Sequence, residues 1–64
     1  MLFWNRAQRD RARRNREKAR ALIDAHGDAA LDMVRARIAE TTWQIRDHAH
    51  WLRVERHVRR MLGR

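Results

Sequence analysis

Four histidines, two threonines and eight carboxylates are the side chains of this 64-residue sequence whose types suit metal binding or acid–base chemistry. Their spacing argues against both. His48 and His50 are two residues apart, on different sides of a helix, and His50 and His57 share a side but stand about 10 Å apart. Asp47 and His50 have a usable i, i+3 spacing, yet two ligands do not close a zinc site. The chain has no cysteine and no serine, and no glycine-rich loop to cradle a phosphate. Thr41 and Thr42 have no base arranged around them, and each carboxylate has an arginine close in sequence. Neither a metal, a cofactor, a small-molecule substrate nor a catalytic function is therefore expected.

The remaining chemistry is that of arginine. Sixteen basic residues oppose eight acidic ones for a net charge of +8, and Lys18 is the only lysine. Residues 1–20 carry eight of the basic side chains and two acidic ones. Arginine forks onto phosphate and carboxylate better than lysine does. Arg6, Arg9, Arg11, Arg13, Arg14, Arg16 and Arg20 are thus the candidate anion-binding residues, with nucleic acid as a possible ligand through phosphate contacts.

These residues need elements to hold them. With no proline, and glycine only at 27 and 63, the composition is strongly helical. The triplet His26-Gly27-Asp28 is the clearest punctuation: Gly27 suits a left-handed helix end and Asp28 the cap of the next helix. The expectation is a single all-α domain built as an antiparallel helical hairpin, with helices over about 5–26 and 29–62 joined by the turn at 27–28. In helix 1, Trp4, Gln8, Ala12, Asn15, Ala19, Leu22, Ile23 and His26 share a charge-free arc of roughly 140°. The basic stretch is therefore a docked helix with a charged outer surface.

The second stretch carries two nearly opposite stripes. One holds Leu31, Val34, Ile38, Thr41, Thr42, Ile45, Ala49 and Leu52; the other holds Met33, Ala36, Trp43, Trp51, Val54, Val58, Met61 and Leu62. Either the helix is continuous, with helix 1 on its early face and a partner on its late face, or it breaks between Thr41 and Asp47 into a three-helix arrangement that merges the stripes. Thr42 or Asp47 would cap the third helix. The continuous form is slightly preferred. It assigns Leu22, Ile23, Leu31, Val34, Ile38, Ile45 and Leu52 to the intrachain contact. Trp43, Trp51, Val54, Val58 and Met61 become an exposed interface for a second copy or a larger protein partner.

Protein–protein assembly is accordingly the first functional expectation, ahead of nucleic-acid binding and of peripheral membrane binding through Leu2, Phe3 and Trp4 beside the basic helix. The preferred role for residues 1–4 is instead a staple over the far end of the second stretch, near Trp51–Met61. Met1–Trp4 is the longest apolar run, far short of the ~20 residues that span a bilayer and too short for the core of a secretory leader. A cytoplasmic location is expected.

Overall fold

A helix runs until its backbone is given something better to do, and in this chain that happens twice. The computed structural model describes the backbone of residues 2–64 and the side chains from Asn5 onward, so the anchor or staple expected of residues 1–4 lies outside the described residues. Three α-helices follow one another: α1 (Leu2–His26), α2 (Ala30–Glu40) and α3 (Ile45–Leu62). Among the described residues there is no strand.

The first interruption is where the sequence places it. Gly27 has φ 59°, a conformation that costs glycine little, and a single 3-10 turn (Gly27–Ala29) leads into α2. Asp28 does not cap α2. The cap position is Ala29, without a side-chain hydrogen bond. Asp28 instead lies 3.8 Å from Arg64 at the end of the chain. That contact shows that α3 runs back towards the α1–α2 junction.

The second interruption, at 41–44, replaces the continuous helix with the three-helix alternative. It has neither glycine nor proline to cause it. Its cause is side-chain capping together with burial. The Thr41 hydroxyl donates to the Arg37 carbonyl at 2.8 Å, and the Thr41 N–H donates to the Ile38 carbonyl at 3.3 Å. From α3, His48 Nδ1 donates to the same Ile38 carbonyl at 3.1 Å, a bond that places a proton on that nitrogen. Carbonyls left open by the helix end thus find donors. Thr42 and Asp47 do not cap α3: its cap residue is Gln44, with no side-chain hydrogen bond. The His48 N–H still reaches the Gln44 carbonyl at 2.8 Å and starts the helix.

What the break achieves is burial. Val54 and Val58 become fully buried against Ala19, Ala30, Leu31 and Val34, with Leu22, Ile23, Ile38, Trp51, Met61 and Leu62 packed around them. Burying an aliphatic side chain of this kind contributes about 1.5–3 kcal/mol. A helical hydrogen bond is worth only about 0.5–1.5 kcal/mol net, and several of those lost at 41–44 are replaced by caps. The merged core therefore outweighs the straight helix. The largest side chains fully buried are valines, so the core is thin.

α3 packs against both α1 and α2, while α1 and α2 touch each other less; Lys18 and Leu22 share a hollow with Met33, Val34, Arg37 and Trp51. An ion pair, Arg35–Glu55 at 3.5 Å, crosses from α2 to α3. α3 ends in a left-handed Gly63 (φ 75°), with Gly63 N–H on the Arg60 carbonyl and Arg64 N–H on that of Arg59, the paired bonds of a Schellman motif. Its last turn lies by the Gly27 end of α1: Met61 shares a hollow with Ala21 and Asp24.

Candidate anion-binding groove

Two consequences of the fold shape the surface. First, α1 has no buried side chain before Asn15 among its described residues, so its N-terminal half presents its arginines around the helix to solvent. Second, α3 turns its valines to the core and lays its basic face beside α1. Between them runs a groove of about 290 Å³. Gln8, Arg11, Ala12 and Asn15 form the α1 wall; Arg53, Arg56, His57 and Arg60 form the α3 wall.

The charge of this groove sets it apart. Four arginines line it and no carboxylate does. A larger hollow, about 530 Å³, lies on another side of α1 between Arg13, Arg16, Glu17, Arg20, Ala21, Asp24 and Met61. There two carboxylates face three arginines and offset most of the charge, so an anion gains less despite the space. His57 sits half-buried in the smaller groove. Its pKa lies below the ordinary value of 6.5, first because burial desolvates the imidazolium and then because Arg60 and Arg16 repel it.

The seven arginines singled out from sequence do not converge. Successive residues of a helix are 100° apart, so the structure deals them to different sides. Arg11 enters the groove; Arg13, Arg16 and Arg20 line the larger hollow; Arg6 and Arg9 lie with Asn5 and Asp10 nearer the N-terminus; Arg14 is exposed. Asp10 pairs with Arg13 at 3.6 Å, as their i, i+3 spacing allows. Arg53, Arg56 and Arg60 were not among the anion-binding candidates. Their i, i+3, i+7 spacing was visible as the polar back of an amphipathic helix, but its placement beside Arg11 depends on the break at 41–44.

The interface expectation changes more. Val54 and Val58 are core residues, closed to a partner in this fold. Trp51 and Met61 are half-buried, and Lys18 Nζ lies 5.8 Å from the Trp51 ring centroid in cation–π range. Of the five, Trp43 alone stands fully in solvent, at 94% exposure in the α2–α3 turn. Ile45 and Leu52, assigned by sequence to the intrachain contact, point outward at 85% and 41% exposure. The cause is the rotation of α3: with Val54 and Val58 turned inward, residues 45 and 52 fall on the opposite side of the helix.

Among the described residues, no three His, Asp or Glu side chains gather in a metal-binding group, and no helix is long and apolar enough to cross a membrane. No family model, curated protein or solved structure matches the chain.

Proposed function

We propose that this chain is a non-enzymatic helical binding module whose ligand is the phosphate backbone of nucleic acid. The observation that carries the reading is the groove between α1 and α3, where Arg11, Arg53, Arg56 and Arg60 face one space without a carboxylate. Guanidinium groups meet phosphate oxygens through paired, charge-assisted hydrogen bonds, and each contact displaces a condensed counterion. The exposed arginines of α1 extend the same field along the molecule and steer a polyanion to it. The contacts are to phosphate, so recognition is weakly dependent on base sequence.

Binding to duplex DNA and to RNA, followed as salt is raised, tests this. With four phosphates engaged, the logarithm of the affinity for duplex DNA should fall with log salt at a slope of about −3.6. Absence of binding at about 50 mM salt, or binding that salt does not weaken, overturns the proposal. Anionic lipid vesicles serve as the comparison polyanion; preference for them over nucleic acid favours the membrane-surface reading instead.

One observation favours a second reading, assembly with a protein partner. Trp43, Ile45 and Leu52 remain exposed at the α2–α3 turn and along the outer face of α3. An exposed apolar surface of this kind often serves as an interface. Either a second copy or a larger protein can cover it, and a net charge of +8 on each chain opposes the first. Sedimentation across a range of concentrations tests the first of these: a monomer at all concentrations removes the homo-oligomer.

A further inference from the structure

We propose that the α1–α3 groove is a proton-linked phosphate site, in which Arg11, Arg53, Arg56 and Arg60 hold the anion and His57 takes up a proton from solvent to become a fifth donor when the anion is bound. The inference rests on the phosphate reading above and extends it to a mechanism of regulation at the same site.

The geometry supplies the first part. The charged groups facing His57 are all cationic: Arg11 and Arg16 from α1, and Arg53, Arg56 and Arg60 from α3; α2 contributes no lining residue. Asn15 and Gln8, the polar neutral residues of the α1 wall, complete a lining rich in donors. At about 290 Å³ the groove lies at the small end of the ~300–1,000 Å³ usual for ligand pockets. It suits a phosphate with its flanking atoms rather than an enclosed nucleotide cofactor.

The electrostatics supply the second. In the groove a proton on His57 is disfavoured by burial and by the guanidinium groups of Arg60 and Arg16. An anion held by Arg60 and the other groove arginines counters the second cause, because it offsets the guanidinium charge there and offers the imidazolium an opposite charge. By linkage, whatever raises the His57 pKa on binding also makes binding tighter at low pH than at high pH. Each unit of that rise corresponds to a tenfold difference in affinity between the two limits.

The test follows the His57 ring carbon resonances by NMR through a pH titration of the intact chain, alone, with inorganic pyrophosphate, and with a short oligonucleotide. With pyrophosphate the His57 midpoint is expected to move upward from its position in the chain alone. An unmoved His57 in the presence of bound pyrophosphate overturns the inference, as does failure of pyrophosphate to bind. If pyrophosphate moves His57 and the oligonucleotide does not bind, the phosphate site stands and the nucleic-acid reading falls. If the oligonucleotide binds without moving His57, the nucleic-acid reading stands and the proton-linked site falls. A His57→Gln chain, checked for helicity by circular dichroism, should bind sulfate, a tetrahedral anion whose own charge is constant over this range, with an affinity that no longer changes between pH 5.5 and pH 8, whereas the parent chain binds it more tightly at pH 5.5. A pH dependence that survives the substitution assigns the proton to another group and refutes the role of His57.

Discussion

Thr41 and His48 close the end of α2 from two sides, and they are the residues on which the three-helix form depends. Thr41 is nearly buried and its hydroxyl bonds the Arg37 carbonyl. Replacing it with valine keeps the shape and removes the donor, so a loss of about 1 kcal/mol is expected in urea denaturation. His48→Ala removes the imidazole from the Ile38 carbonyl and should destabilise by a similar amount. A break between Thr41 and Asp47 could be weighed from the sequence; a histidine ten residues beyond Ile38 reaching back to cap it could not, because that contact exists only once the chain has turned. His57 yields a prediction of a different kind. Its folded pKa lies below 6.5, so above that value neither the folded nor the unfolded chain protonates it. As pH falls through 6.5 and then through the folded value, the unfolded chain takes up the proton first and stability drops. The His57→Gln chain should lose less stability than the parent over this interval, measured by urea midpoints between pH 8 and pH 5.

Among the elements, α3 decides the fold because both of its sides carry apolar residues and only one can face the core. Val54 and Val58 win that competition. Their position i, i+4 gives a compact ridge that fits the small residues Ala19 and Ala30, whereas Ile45 and Leu52 lie two turns apart. Val54→Ala and Val58→Ala should each destabilise by about 1–3 kcal/mol, the loss of buried methyls plus the space they leave. Ile45→Ala and Leu52→Ala should change stability by less than about 1 kcal/mol, since exposed positions contribute little. Thermal or urea unfolding of the four variants settles the orientation of α3; the reverse ranking would restore Ile45 and Leu52 to the core. The two stripes were legible in the sequence, and so was where a break would fall, although the continuous helix was the preferred form. Which stripe would be inside was not, because hydropathy alone ranks Ile45 and Leu52 at least equal to the valines. The choice follows from the fit against alanines on two other helices.

At the scale of the whole molecule, shape and charge act together. The chain measures 38 × 27 × 18 Å with a radius of gyration of 12.4 Å, above the roughly 11 Å of a compact domain of this length. α1 accounts for the difference: 25 helical residues rise about 37 Å, longer than the helices that pack on it. Its charge-free lane was readable from sequence, and Asn15, Ala19, Leu22 and Ile23 do use it for packing. The lane outruns its cover, however, so Gln8 and Ala12 become the wall of an open groove. The anion-binding site was therefore half legible: Arg11 lay in the basic arm, but Arg53, Arg56 and Arg60 join it only through tertiary structure. The most direct measurement is the salt dependence of duplex DNA binding for the parent chain and for a chain carrying Arg53→Gln, Arg56→Gln and Arg60→Gln. With the three α3 guanidinium groups removed, the slope should become shallower by about 2.7 and affinity at low salt should drop. An unchanged slope in a folded variant would place the phosphate contacts elsewhere on the molecule and contradict the groove as the site.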